Sequence, residues 1–188
     1  STLLASSAAS DVYKRQIIHN ANNYTLSNTY GMPGLNKKIV DSYLKSDGSR
    51  FTDVPGYSTM EFYQEMQGRD PRLTQTVRGP GYTRIGQTAK LSPDFSCSTT
   101  GYQLTKWVTD VSQDGYNKSY NDIILFRAAE VYLNFAEAKA ERGTLTQDDI
   151  DKSIKPIRDR VGMPNLDMEE ANDNPDPYLT SDVTGYPH

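Results

Sequence analysis

The run from Ile123 to Arg142 limits what this chain can fold into more than any other segment. It reads Ile-Ile-Leu-Phe-Arg-Ala-Ala-Glu-Val-Tyr-Leu-Asn-Phe-Ala-Glu-Ala-Lys-Ala-Glu-Arg, a nearly unbroken series of helix formers. Asn121 or Asp122 can cap its start, and Gly143 stands where a helix commonly ends in a left-handed residue. Apolar side chains cover most of the circumference, so the pattern predicts a helix buried on more than one side. Ala128, Ala129, Ala136 and Ala138 would let neighbours approach closely. A second helix is predicted over 146–161. Thr146 and Asp149 have the spacing of a capping box. Asp148, Asp149 and Asp151 suit the positive helix end, and Arg158 and Arg160 the negative one. Ile150, Ile154, Ile157 and Val161 share a face. Pro156 removes a backbone donor and should kink this helix or start a new turn, and Gly162 and Pro164 end it. Two antiparallel helices joined by a tight turn form an αα-hairpin. Such a hairpin leaves apolar surface uncovered, as helical-repeat units do, although the Trp, Leu-Gly, Tyr series of a consensus tetratricopeptide repeat is absent.

Upstream of this hairpin the chain is crowded with turn formers, among them Asn22, Asn23, Gly31, Pro33, Gly48 and Pro55. Asn36 to Lys45 can make a short helix with Ile39, Val40, Tyr43 and Leu44 on one side. Thr59 to Gln67 is a second candidate, capped by Thr59, with Phe62, Tyr63 and Met66 on one face. Thr74 to Val77 and Gln103 to Val108 have the alternation of short strands, and Gly79-Pro-Gly-Tyr between them is a turn.

Ser6 to Gln16 looks like the in-frame translation of a transposon-based sequencing adapter, and Ser1 and Thr2 fit the same adapter further upstream. Residues 1–16 are therefore read as a non-native segment and kept out of the fold reasoning. The remainder, 17–188, reads as one partial domain: a loop-rich part over 17–118, the helical hairpin over 121–162 and a loop tail over 163–188. The expectation is a fragment, starting mid-gene near Ile17 and stopping in a loop-like stretch.

Composition removes several function classes. A formal charge of −4 over 188 residues argues against nucleic acid, which calls for a basic stripe. No apolar run approaches the roughly 20 residues that span a bilayer. The lone Cys97 can form neither an internal disulfide nor a multi-cysteine metal site, and reads as a small hydrophobe. His19 and His188 lie near opposite ends, which leaves no His-based triad or zinc site. Asp173-Asn-Pro-Asp176 misses the calcium-loop spacing and reads as a polar loop. Glycosidase chemistry wants two carboxylates across a cleft; Glu61 and Glu65 read instead as the solvated face of one helix. No catalytic residue, metal or cofactor is assigned. The Asn23 and Asn117 sequons would be idle in a bacterium.

Four segments together resemble the SusD/RagB family: Gly68-Arg-Asp-Pro-Arg-Leu73, Thr100-Gly-Tyr-Gln-Leu-Thr-Lys-Trp107, Ile124 to Ala138 and Ile157-Arg-Asp-Arg-Val-Gly-Met-Pro164. The third is similar to the family's Arg-(Tyr/Phe)-Ala-Glu-Val…Ala-Glu-Ala helix, and the fourth to its Ile-Arg-x-Arg-Ala-Gly-Met-Pro helix end. Pro156 departs from the pattern, standing where the family commonly has Asn. The family's downstream Arg-Trp block, its lipid-bearing cysteine and its first helical pairs are not in this sequence. The resemblance implies a mainly α fold: a truncated SusD-like helical, tetratricopeptide-like scaffold with long irregular loops and a few short strands. It further implies a surface-exposed lipoprotein of the Bacteroidota outer membrane. Such a protein holds an oligosaccharide or polysaccharide, without catalysis, for import through a SusC-like TonB-dependent transporter. Membrane attachment would come only from a lipid anchor that this fragment lacks. The alternative is a helical-repeat module binding peptide or protein.

Sugar capture needs flat rings for the C–H face of a pyranose and fixed polar groups for its hydroxyls. The loop residues of those types are Tyr57, Tyr82 and Tyr116, with Arg84, Asp114 and Asn117 as polar neighbours. Trp107 is assigned to structure by its alternating context. Arg69, Asp70 and Arg72 read as a turn network in which Asp70 caps a short helix and the arginines pair with acids. Arg127, Glu130 and Glu137 read as inter-helix pairs. The expected arrangement is a buried hairpin scaffold with the tyrosine loops facing outward.

Overall fold

The computed structural model describes residues 18–185, so the adapter-like segment 1–16 and His188 lie outside it. Its regular structure is helical. In chain order the helices are α1 (Ala21–Leu26), α2 (Lys37–Ser42), α3 (Phe62–Glu65), α4 (Pro71–Thr74), α5 (Ala128–Glu141), α6 (Gln147–Asp159), α7 (Met168–Asp173) and α8 (Pro177–Thr180). The two short strands expected at 74–77 and 103–108 are reduced to isolated antiparallel bridges, Val77 with Leu104 and Gln103 with Gly34. Thr74 belongs to α4, and after Leu104 the chain turns, Val108 N–H donating to Thr105 C=O at 3.2 Å.

The loop-rich part has a core of its own. Val40, Met66, Leu73 and Val77 are buried together, with Leu35, Tyr43, Phe62 and Tyr102 packed around them. Each such side chain contributes about 1.5–3 kcal/mol by leaving water. The short helices form around this cluster because their caps are local. Asn36 accepts the Ile39 amide, and Asp70, ahead of Pro71 at the first helical position, accepts the Arg72 amide. The candidate helix at 59–67 is shorter than its pattern suggests: Tyr57–Thr59 forms a separate 3-10 turn, and α3 starts after Glu61 without a side-chain cap.

Arg69 holds these pieces together. Its guanidinium donates to the carbonyls of Glu65 at 2.9 Å, Val40 at 2.6 Å and Tyr43 at 2.9 Å. It also lies 3.6 Å from the centre of the Phe51 ring. The sequence reading paired Arg69 with acids; it serves the orphan carbonyls at the ends of two helices instead. Arg72 does pair with Asp70, at 2.5 Å.

The hairpin forms from α5 and α6. Gly143 takes the left-handed conformation, φ 64°, as a helix C-terminus requires. Thr146 and Asp149 form the full capping box, and α6 runs unbroken through Pro156. Two expectations fail here. First, α5 begins at Ala128 and not at Ile123, with Arg127 at the N-cap in extended conformation. Residues 119–121 are tied to the start of the chain by the His19–Ser119 bridge and by His19 Nε2 at 2.7 Å from Asn121 O. The β-branched Ile123 and Ile124 that follow are weak helix formers. Second, among the described residues α5 packs chiefly against α6. Ala136 is its one buried residue, while Val131, Leu133 and Phe135 are exposed, as are Leu125 and Phe126 ahead of it. The ion pair between the helices is Lys139 with Asp149, 3.4 Å; Arg127, Glu130 and Glu137 make none among the described residues. The tail expected as loop carries α7 and α8, and Asp176 caps the latter.

Candidate functional site

The six singled-out loop residues fall in three places. Tyr57 is half-buried in an aromatic cluster, its ring centre 5.9 Å from Phe51 and 6.3 Å from Tyr178, both edge-on. Arg84, Asp114, Tyr116 and Asn117 come together, although 30 residues separate the first two. The buried Arg84 donates to Asp114 Oδ1 at 2.6 Å and Oδ2 at 3.2 Å, and to Thr109 C=O at 2.8 and 3.1 Å. Asn22 adds a bond to Asp114 Oδ1 at 2.8 Å, and Asn20 donates to the Asn117 side chain at 2.9 Å. This network clamps the 109–119 loop onto α1. Its arginine and carboxylate are occupied by one another, while Tyr116 stands outward, 59% exposed. Asn117 sits at the tip with φ 55°, a conformation asparagine tolerates better than most residues.

Tyr82 is in the third place, on the 79–96 loop beside a surface cleft. Two hollows of about 270 and 600 Å³ share the stretch Lys90–Pro93. Tyr63 and Pro80 line the first, and Arg78 and Phe95 the second. The Tyr63 and Phe95 rings are 64% and 74% exposed, so both offer flat faces to solvent. Arg78 is held from behind: its N–H donates to Gln103 C=O at 2.9 Å, and Val77 before it is in the core. Its guanidinium lies 5.2 Å from the centre of the Tyr82 ring and donates to Ser92 C=O at 3.1 Å. Tyr82 C=O in turn accepts from Leu91 N–H at 2.8 Å. The 79–96 loop is therefore folded back on itself by internal bonds.

The sequence reading missed Tyr63, Phe95, Arg78 and Lys90. Tyr63 sat in a helical pattern that suggested core, yet α3 is only one turn long and the ring points out. Phe95 lies in Ser-Pro-Asp-Phe-Ser, an aromatic in a turn-rich loop, which was the signal available.

Glu65 is not on a solvated face. It is 1% exposed, accepting from Lys37 Nζ at 2.9 Å and from the Tyr102 hydroxyl at 2.9 and 3.1 Å. Burial pushes the Tyr102 phenol up to about 12, helped by the Glu65 carboxylate. Burial works against the Lys37 charge, but Glu65 and Asp41 outweigh it and raise Lys37 above its usual value. Glu61, by contrast, is exposed. Among the described residues no group of three or more His, Cys, Asp or Glu could hold a metal ion, and no helix is long and apolar enough to cross a membrane. Trp107 is partly exposed and has φ 68°, a strained conformation for a bulky residue.

The family model described as SusD family matches residues 5–184. Comparison with curated proteins gives no match. A crystal structure described as a SusD-like carbohydrate binding protein from Bacteroides fragilis NCTC 9343 is similar with a TM-score of 0.52 and 28% sequence identity. The similarity covers 69% of this chain and 28% of that one, so the chain spans little more than a quarter of that relative's length.

Proposed function

The chain belongs to the SusD family, and from that premise we propose that it contributes to non-catalytic capture of a glycan. The observation that carries this reading is the loop cleft, where the exposed Tyr63 and Phe95 rings flank a shared stretch bearing Lys90 and Ser92. Rings of this kind pack on the C–H faces of sugars at low entropy cost, and the 79–96 loop that carries Phe95 is braced by its own hydrogen bonds. Tyr82 backs the Arg78 guanidinium. Tyr116 and Asn117 form a second outward contact point, which Arg84 and Asp114 position. Tyr57, packed between Phe51 and Tyr178, lies apart from this cleft. The similarity to a protein described as carbohydrate binding supports the same ligand class. In the proposed setting the protein is a surface lipoprotein of the outer membrane that hands an oligosaccharide to a SusC-like TonB-dependent transporter.

Affinity electrophoresis of the full-length protein against a broad plant, host and microbial glycan panel tests this. Retardation by at least one glycan is expected, with loss in a Tyr63→Ala/Phe95→Ala variant. No retardation by any glycan counts against the reading.

A second reading is a helical-repeat module that binds peptide or protein, and the exposed apolar residues Val131, Leu133 and Phe135 on α5 favour it. Transporter capture that persists while every glycan fails would select it.

A further inference from the structure

Buried in the loop-rich part are Arg69, Arg78 and Arg84, 5%, 8% and 8% exposed. Burying a guanidinium costs several kcal/mol unless its charge is matched and its donors are used. Two of the three meet most of that demand inside the protein, although Arg69 Nε has no partner. Arg69 makes three bonds to carbonyls and stacks on Phe51. Arg84 chelates the Asp114 carboxylate and Thr109 C=O.

Arg78 does not. Among the described residues its guanidinium makes one hydrogen bond, to Ser92 C=O. Its Nε is buried without a partner, and no carboxylate of the described residues lies within ion-pair distance. The nearby acid in the cleft, Asp94, is turned into its own loop. Its Oδ1 accepts from the Ser96 amide at 2.9 Å and the Ser96 hydroxyl at 2.6 Å. Those bonds hold its pKa below the usual carboxylate range, and the Arg78 charge adds to the effect. Lys90, exposed on the rim shared by both hollows, makes no ion pair among the described residues. The cleft therefore has two cations, one preorganised on the Tyr82 face at 5.2 Å, against one carboxylate already bound elsewhere.

We propose that this cleft selects an acidic saccharide, its carboxylate or sulfate group seated between Arg78 and Lys90 and its ring on Phe95 or Tyr63. The proposal rests on the glycan reading above and narrows it from any sugar to anionic ones. The terminal guanidinium N–H groups that Ser92 leaves free fit an oxyanion, whose bonds to arginine are charge-assisted and directional. A neutral sugar would leave the buried charge uncompensated.

The test is titration calorimetry of the full-length protein with polygalacturonate, dextran sulfate and neutral dextran. Polygalacturonate or dextran sulfate is expected to bind at least about tenfold more tightly than dextran, and which of the two wins identifies the acid. Raising NaCl from about 50 to about 500 mM should weaken the acidic ligand and leave dextran unchanged. Arg78→Gln should lower acidic-ligand affinity by about tenfold or more. Because Arg78 is buried, its variant is paired with Lys90→Ala at the exposed rim, which should lower it several-fold and flatten the salt dependence. Dextran or another neutral glycan binding as tightly as both acids, or Lys90→Ala leaving acidic-ligand affinity and salt dependence unchanged, overturns this proposal and leaves glycan capture standing. Failure of every glycan, neutral and acidic, overturns both.

Discussion

Replacing Arg69 by lysine keeps the charge and most of the volume but removes the guanidinium fork. Arg69 donates to three carbonyls, those of Glu65 at 2.9 Å, Val40 at 2.6 Å and Tyr43 at 2.9 Å. They belong to the ends of α2 and α3, and a single ammonium on a flexible stem can serve one of them. Two charge-assisted bonds are lost, worth about 1.5–3 kcal/mol each. The contact with the Phe51 ring at 3.6 Å weakens as well, by about 1 kcal/mol. Solvent cannot replace these bonds cheaply because Arg69 is 5% exposed. Taking the lower end for non-additive partners gives a cost of about 4 kcal/mol. For a chain of this size that lowers the melting temperature by roughly 8–16 °C. Thermal denaturation followed by near-ultraviolet circular dichroism measures it, with Arg72→Lys as the reference. Arg72 is about a third exposed and pairs with Asp70 alone, so its variant should move the midpoint by only a few degrees, on the order of 1 kcal/mol. An Arg69→Lys midpoint within 2 °C of the unaltered protein, or equal to that of Arg72→Lys, would falsify the assignment of Arg69 as the tie between these helices.

Ile150, 1% exposed on α6, should cost about 2–4 kcal/mol when cut to alanine; a loss below 1 kcal/mol in urea denaturation would mean α6 is not tightly packed there. Tyr102, whose phenol is raised to about 12 by burial and by Glu65, is stabilised in its neutral form. Its contribution is therefore whole below the ordinary tyrosine value near 10 and is lost as pH rises through about 12. Absorbance titration at alkaline pH should show a late phenol that Tyr102→Phe removes, and an unchanged titration curve in that variant refutes it.

The parts of the fold written in local chemistry are legible without coordinates. The capping box at Thr146 and Asp149, the helix stops at Gly143 and Gly162, and the Asp70-Pro71 cap each depend on residues a few positions apart. They appear where the sequence places them. Family membership was legible for the same reason, through four short motifs in order. The start of α5 was not: a pattern of apolar residues cannot reveal that His19, about a hundred positions earlier, holds the chain at Asn121.

The sequence by itself thus determined the hairpin, the α6 capping box and the family to which the chain belongs, because each rests on neighbours along the backbone. Only the tertiary structure decided that Glu65 and Arg69 are buried ties, that Arg84 clamps Asp114, and that Tyr63 and Phe95 look outward beside Arg78. Those outcomes depend on which surface each loop meets once folded. Pairings such as Asn22 with Asp114 or Tyr102 with Glu65 leave no periodic trace in the chain, since nothing between the partners needs to repeat for them to meet.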